Sequence, residues 1–450
     1  VQIKSSAPVT VRHLLSHTSG IREFRGLGDM ASVLWGSKAP TDDLKSFYEK
    51  SSISTAGTPG QIYLKSHHNY GLLSLLLQEM SNTEVSDYFR QNIFDPLGMK
   101  QTDLVLQDHM KENLTDSFKM TGSGAKILKK ALSGSIRSAQ GGYSCGADMT
   151  KYLEALVDPE AKGKGVVNEQ MLDEMMKPVY RVDPFLPGQA LSFNLQQAKW
   201  VPVSAEGDHQ AFHEEVGYMT AGQGMTWAGF QAAFVFSRQL KTAVSVLSNC
   251  GTHNYEVSAV ASKVLKQVIP QYKMTTPTEA DAKTVSLKKA LGSSGFDQAA
   301  LWPKITGIYR LPLSQLFSAR LMWLLGGELQ VYQWRGQRLE LRSLFGPLAT
   351  NWVRTGKGKT ISPCDPENPL HYSVTAPNLV FSTPVRGTTD LRFDPENETL
   401  HLGMLTLHKT PWYLSMYYPF MTGVMYGGYK IIGKARAFDI LSHMTLIAPI

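Results

Sequence analysis

The sequence predicts an α/β fold followed by a small antiparallel β-domain. Three observations carry that expectation. Runs with apolar residues at helical spacing occupy much of the first 180 residues. Two alternating runs, Phe230 to Phe236 and Ala243 to Ser248, read as strands joined around Arg238-Gln239 and followed by a closing helix from Glu256 to Ile269. Beyond residue 302 the period shortens to that of strands. At 450 residues the chain exceeds the ~250–300 that one core sustains, so two domains are expected. A content of 42% hydrophobic and 18% charged residues is that of a folded globular chain without long disorder. The net charge of +7 comes without a Lys/Arg block or basic–aromatic interleaving, so general anion affinity is expected and a nucleic-acid partner is not.

Taken in order, Leu14 and Leu15 follow the β-branched Val9, Thr10 and Val11 as an apolar anchor, and Ser16 to Gly20 read as a polar turn that stops it. Thr41-Asp42-Asp43-Leu44 opens a short helix with an N-cap and an acidic first turn. Thr58-Pro59-Gly60 marks a turn before Ile62-Tyr63-Leu64, after which Tyr70 to Met80 and Val85 to Ile93 are helical, the second closed by Asp95-Pro96-Leu97-Gly98-Met99. Residues 120 to 140, rich in Gly, Ser and Lys, read as a surface loop, and Ala147 to Val157 and Asn168 to Met176 as amphipathic helices. Pro270 to Trp302 is polar with Thr-Pro-Thr and Gly-Ser-Ser-Gly clusters, a linker.

After it come short strand-like runs at Ile305 to Arg310, Glu328 to Trp334, Arg338 to Leu344, Leu370 to Val374, Leu379 to Ser382, Thr389 to Phe393 and Thr399 to Leu407. Their spacing suggests a small barrel or sandwich. Trp412 to Ile432 is apolar but broken by Pro419, Gly423, Gly427 and Gly428 and holds Lys430, so it is expected as a partly buried or interfacial tail with weak membrane-surface association. The expected organisation is therefore 1–270, a linker over 271–302, a β-domain over 303–410 and a tail over 411–450.

Several strings carry more than composition. Leu14-Leu15-Ser16-His17-Thr18-Ser19-Gly20, Pro59-Gly60, Ile93-Phe94-Asp95-Pro96-Leu97-Gly98-Met99, Gly141-Gly142 and Asp148-Met149 together resemble the serine β-lactamase-like family, which includes class C β-lactamases, penicillin-binding DD-peptidases and related esterases. The resemblance covers roughly the first 270 residues and implies helices packed on an antiparallel sheet, with the later β-domain similar in pattern to a lipocalin-like appendage. It also implies hydrolysis of an amide or ester through an acyl-enzyme, a small-molecule or peptide substrate in a cleft, no cofactor, and a secreted, periplasmic or membrane-associated setting. In that family the nucleophile motif Ser-x-x-Lys lies several tens of residues before the opening string. Here only eight residues precede Val9, and Val1-Gln2-Ile3-Lys4 shows no leader, so a trimmed terminus lacking that segment is expected.

The chemistry of the family rests on a Ser and a Lys one helical turn apart, a Tyr-x-Asn that handles protons, and a His-x-Gly or Lys-Thr-Gly strand that presents a backbone N–H to the oxyanion. Ser-x-x-Lys occurs at Ser123 to Lys126 and Ser286 to Lys289, both after the string. Aligned between Pro59-Gly60 and Tyr70-Gly71-Leu72-Leu73, Lys65-Ser66-His67 stands where the family has Tyr-Ser-Asn. Lys65 serves there as a base if desolvation lowers its pKa, and His67 as a donor; the bland alternative is a turn whose chemistry is lost. Gly222-Gln223-Gly224-Met225-Thr226 aligns on the third motif. Gln223 replaces its cation or imidazole, Met225 replaces a Gly where close approach is wanted, and the Thr226 N–H can face a carbonyl.

Outside the family, Gly142-Tyr143-Ser144-Cys145-Gly146 fits the Gly-x-Ser-x-Gly elbow of α/β-hydrolases, with Ser144 as nucleophile, although the preceding residues are polar; Ser144 or a neighbour capping the next helix is the alternative. His13 and His17 are expected as structural donors, and His209, His213 and His253 as solvated residues without a third metal ligand. Cys145, Cys250 and Cys364 lie too far apart for a metal or disulfide framework, with one bridge left open. Asn113-Leu114-Thr115 and Asn397-Glu398-Thr399 fit the glycosylation pattern of a secreted chain. Three functions follow: a serine hydrolase scaffold with little or no activity as given, a pseudoenzyme binding a peptide, glycan or protein partner, or an esterase using Ser144.

Overall fold

The computed structural model describes residues 1–23, 43–49, 52–121, 124–128, 139, 141–182, 188–196, 200–203, 211–214, 220–227, 229–238, 240–250, 257, 260–261, 264–265, 303, 305–312, 328–334, 338–343, 373–374, 380–382, 390–394 and 397–414. They fall into two compact units, Val1–Ser294 with Val385–Asp390, and Gly295–Pro384 with Leu391–Ile450.

The first unit opens on strand β1 (Gln2–Lys4) and helix α1 (Val11–Leu15). Thr10 caps α1 with its hydroxyl on the His13 N–H, while the Thr10 N–H donates to His13 Nδ1. A histidine thus closes a capping box usually completed by Glu or Gln. Helix α2 (Leu44–Glu49) has no acidic residue in its first turn; Asp43 instead precedes it, its carboxylate accepting from the Ser46 N–H at 3.0 Å and the Ser46 hydroxyl at 2.6 Å. Strand β2 (Ser52–Ser54) pairs in parallel with β1.

Helix α3 (His67–Ser81) begins before its apolar periodicity does, because Ser66 supplies the cap, and it ends at Asn82 in the left-handed region. The expected single helix from Val85 is instead α4 (Val85–Phe89) followed by a π-turn at Arg90–Phe94. Pro96 has no N–H to give the Asn92 carbonyl, and Arg90 is held by Asp87 at 2.8 Å and Asp103 at 2.6 Å, so the chain widens there. Helices α5 (Gly146–Val157) and α6 (Glu169–Met176) match expectation, α6 capped by Asn168 through the Met171 N–H.

Part of the expected loop at 120–140 is a hairpin, β3 (Ser117–Thr121) with β4 (Gly124–Leu128). Its strands carry a short alternation, Phe118 and Met120 on one and Ala125 and Ile127 on the other, and the Phe118 N–H donates to the Asn249 carbonyl at 2.7 Å. The sheet of this unit comprises β5 (Gly188–Gln189), β6 (Asn194–Gln196), β9 (Thr220–Trp227), β10 (Phe230–Ser237) and β11 (Thr242–Ser248). Between β6 and β9 a separate hairpin joins β7 (Trp200–Val203) and β8 (Ala211–Glu214). The sheet order is β11-β10-β9-β6-β5, all antiparallel.

Helices cover both faces of the sheet. On one, Leu153, Leu156, Leu172 and Met176 pack with Phe193, Leu195 and Phe236; on the other, Val257, Ala261 and Leu265 pack with Ala233 and Val235. The alternation along β10 is thus read by opposite layers. The four-residue spacing of the second set is helical, and the described residues of the expected closing helix carry it.

The second unit contains β12 (Gly307–Arg310), β13 (Glu328–Trp334), β14 (Arg338–Ser343), β15 (Ser373–Val374), β16 (Val380–Ser382), β17 (Asp390–Asp394), β18 (Thr399–Leu402) and β19 (Leu405–Thr410). They form one sheet ordered β14-β13-β12-β19-β18-β17-β16-β15. The run expected as one strand from Thr399 to Leu407 is two, because Gly403 takes a φ of 59° and turns the chain back. Asn113 and Asn397 are both exposed. No described helix is long and apolar enough to cross a membrane. The linker and the tail beyond Leu414 lie outside the described residues.

Candidate active site around the start of helix α3

Ser16, His17, Thr18, Ser19, Ser66, His68, Asn69 and Ser74 are all buried. So many polar side chains can be buried only if they satisfy one another. The main chain does much of this: the Leu64 N–H donates to the His17 carbonyl at 2.9 Å, the Gly60 N–H to Thr18 at 2.7 Å and the Ala56 N–H to Gly20 at 2.7 Å. Asn69 Nδ2 donates to His17 Nδ1 at 2.9 Å, the Ser19 hydroxyl donates to Asn69 Oδ1 at 2.6 Å, and the Ile21 N–H donates to Ser19 Oγ at 3.1 Å. Gly20 is required, since its φ is 73° and a Cβ would meet the Gly57 carbonyl oxygen at 2.9 Å. The opening string is therefore a scaffold that fixes the first turn of α3, the structural role expected for His17.

Lys65, Ser66 and His67 lie at that turn. Ser66 is buried, and its hydroxyl donates to the Arg22 carbonyl at 3.3 Å while accepting from the His68 N–H at 3.2 Å. Lys65 and His67 are half-buried. The carboxylate of Glu23 takes the His67 N–H at 2.9 Å through Oε2, and its Oε1 pairs with His67 Nδ1. Sequence reasoning missed Glu23: a lone carboxylate 44 positions away carries no spacing signal. Its only precursor in the chain is position, two residues past the anchored Ile21, whose bridge to Thr55 aims the segment back at α3.

Gln223, Gly224, Met225 and Thr226 lie on β9 opposite Phe234, Ala233, Ala232 and Gln231 of β10. Strand β6 covers the other edge of β9 only from Thr220 to Gly222. It begins there because residues 190–193 form the β5–β6 turn, with Ser192 at a φ of 68°. That turn is tied to the site. The Ser192 N–H donates to the Leu15 carbonyl at 3.0 Å, and the Tyr70 hydroxyl shares hydrogen bonds with Ser192 Oγ at 2.8 Å and the Leu15 carbonyl at 3.1 Å. Burial pushes the Tyr70 phenol up to about 12, so it stays neutral and acts as a tie. The first turn of α3 is thereby fastened to the point where the β9 edge runs clear of β6. Among the described residues no strand pairs with that edge from Gly224 onward.

Ser144 lies elsewhere in the unit's bonding. It is exposed, and its hydroxyl is 2.8 Å from Thr102 Oγ1, which donates to Asp148 at 2.9 Å. Before it the chain makes one isolated bridge, Asp103 to Tyr143, instead of a strand, and Ser144 is not among the described residues with positive φ. A nucleophile elbow has both features. Nor does Ser144 cap α5, whose N-cap residue is Cys145 without a side-chain bond. Cys145 and Cys250 are free thiols. Among the described residues no group of three His, Cys, Asp or Glu could hold a metal ion. Cys364, His209, His253, Ser123, Ser286 and Lys289 lie outside the described residues, while Lys126 is on β4 and His213 on β8.

Residues 2–266 match the family model described as Beta-lactamase, and as this is more than half of the chain, the protein belongs to that family. Among curated relatives, the chain is 30% identical over 96 residues to Penicillin-binding protein 4* of Bacillus subtilis, covering 21% of each chain. It is 28% identical over 171 residues to Unguisins hydrolase ungD of Aspergillus violaceofuscus, covering 35% of this chain and 28% of that one. The match thus spans between a fifth and a third of those relatives' length. Among solved structures, the octameric penicillin-binding protein homologue from Pyrococcus abyssi is 17% identical, with 89% of this chain and 78% of that one covered and a TM-score of 0.46. A class C beta-lactamase is 18% identical over 58% of this chain and 69% of its own, with a TM-score of 0.43.

Proposed function

We propose that the first unit is an acyl-transfer scaffold that binds a small molecule or peptide beside α3 and the free edge of β9 and hydrolyses its amide or ester bond slowly. The observation that supports this is the tie from α3 through the Tyr70 hydroxyl to Ser192, which precedes the strand β6 that pairs with Thr220 to Gly222 of β9. Slowness follows from the residues there. Lys65 and His67 stand where the family has Tyr and Asn, Gln223 replaces a cation or imidazole, and Met225 puts a side chain where close backbone approach is wanted. Loss of a general base alone typically costs ~10²–10⁴ in rate. The same substitutions favour a second reading, a non-catalytic binder of a peptide, glycan or protein.

In this proposal the units divide near 1–270 and 303–410, joined by a linker over 271–302. The second is a lipocalin-like appendage, supported by its antiparallel strand pattern. The tail over 411–450 associates weakly with a membrane surface, the setting is secreted, periplasmic or membrane-associated, and no nucleic acid or cofactor takes part. The test is turnover of an activated ester by the full-length protein carrying Gln223→His and Met225→Gly. The double variant is expected to raise kcat/KM by about 10²-fold, since one oxyanion-hole donor is worth about 10²–10³; unchanged turnover favours the binder.

A further inference from the structure

We infer that Asn113 is an N-glycan acceptor and that Asn397, which heads a triplet of the same pattern, is not. The inference is independent of the chemistry proposed above and takes up only the secreted setting. Two triplets alike in sequence are told apart by what the fold does with each.

Asn113 ends a short 3₁₀ turn, Asp108–Asn113, and Leu114 after it is extended at φ −71° and ψ 118°. Every residue from Lys111 to Asp116 is exposed. The Asn113 side chain has no hydrogen-bond partner among the described residues. Thr115, which completes the triplet, accepts from Asn249 Nδ2 at 3.3 Å, and the same amide donates to the Asp116 carbonyl at 3.1 Å. Asn249 therefore holds the chain just beyond the acceptor, while Thr115 keeps its own hydroxyl proton to donate. A bulky, hydrated glycan at Asn113 displaces no packed group, and it stands next to Leu114, an apolar side chain 48% exposed.

Asn397 is exposed as well, but its groups are committed. Its Nδ2 donates to Asp394 Oδ2 at 2.7 Å and its main-chain N–H to Oδ1 at 3.3 Å. Glu398 takes a φ of 49°, and Thr399 is 5% exposed where it pairs with Asp394 at the start of β18. A transferase that must take in both the amide and the hydroxyl finds the first bonded and the second buried, so this hairpin has to come apart first. Asn113 needs no such opening.

The step is a displacement. The side-chain nitrogen of Asn113 forms a bond to the anomeric carbon of a lipid-pyrophosphate-linked oligosaccharide. The carbon–oxygen bond to the pyrophosphate breaks with its electron pair, and the nitrogen gives up a proton to a base of the transferase, so charge and atoms balance.

Full-length protein is made in eukaryotic cells in two forms, from its own gene and behind an added cleavable secretory leader. Each is treated in ¹⁸O-water with an amidase that removes N-glycans and turns the modified Asn into labelled Asp, then mapped by mass spectrometry. In both forms label is expected at Asn113 and none at Asn397. The same treatment is expected to give a single step in gel mobility, lost in Asn113→Gln and Thr115→Ala and kept in Thr115→Ser and Asn397→Gln. Because the Asn113 side chain is exposed and unbonded, Asn113→Gln is expected to keep the urea midpoint, so loss of the step reports modification and not folding. No label at Asn113 in either form overturns the site. Label there only behind the added leader overturns the secreted setting, and the natural modification with it. Label at Asn397 overturns the distinction between the two triplets.

Discussion

Replacing Asn69 by alanine is expected to destabilise the first unit by about 3–5 kcal/mol, read as a lower urea midpoint with an unchanged slope. Asn69 is fully buried and bridges Ser19 to His17. Its removal strands the Ser19 hydroxyl donor and withdraws a donor from His17 Nδ1, each costing ~1–3 kcal/mol of desolvation, with the lost packing added. The damage has a predictable direction. The His17 ring no longer restrains the first turn of α3, so tryptic cleavage at Lys65 is expected to accelerate before global unfolding does. Asn69→Asp is expected to be milder, since it keeps the acceptor for Ser19. A neutral Asn69→Ala would mean that the buried polar cluster is not what seats α3.

The second large effect is expected at Asp148, which is 3% exposed and carries three bonds: from the Gln101 N–H at 2.7 Å, the Thr102 hydroxyl at 2.9 Å and Lys151 Nζ at 3.0 Å. Alanine there leaves a half-buried N–H, a hydroxyl and a lysine without their anion, so a loss of about 3 kcal/mol is expected from the same urea measurement. Because Asp148 holds Thr102, and Thr102 holds Ser144, this substitution also bears on the elbow reading. If Ser144 were the nucleophile, Asp148→Ala would alter ester turnover per folded molecule. The account expects no change in that ratio.

Much of this arrangement was legible from residues alone, and the parts that were not share a physical reason. Helix α3 and helix α6 with its Asn168 cap announce themselves because each buries one face, and β10, covered on both faces, reads as an apolar run with β11 beside it. Lys65, Ser66 and His67 could be placed because Pro59-Gly60 and the α3 run bracket them within a few residues. What stayed hidden depends on groups without a local pattern. The β3–β4 hairpin does carry an alternation, Phe118 and Met120 with Ala125 and Ile127, but it is only two apolar residues long on each strand and is hidden among the Gly, Ser and Lys around it. The π-turn after α4 follows from Pro96 and from Asp103, thirteen positions beyond Arg90. Glu23 reaches His67, and Ser192 reaches Tyr70 across 122 positions, through tertiary folding that no short-range spacing encodes.

These long-range ties change how the opening string is understood. Its histidine, serines and glycine bond to one another and to neighbouring main chain, and they seat the first turn of α3, where Lys65 and His67 stand. The chemical character of the site is then decided by residues at positions where the family places others, and a direct chemical readout is available. Full-length protein treated with a fluorophosphonate and, separately, with a penicillin is digested and mapped by mass spectrometry. The account predicts a slowly formed adduct on a serine that is followed by lysine three residues later. An adduct on Ser144, or on no serine, would contradict it.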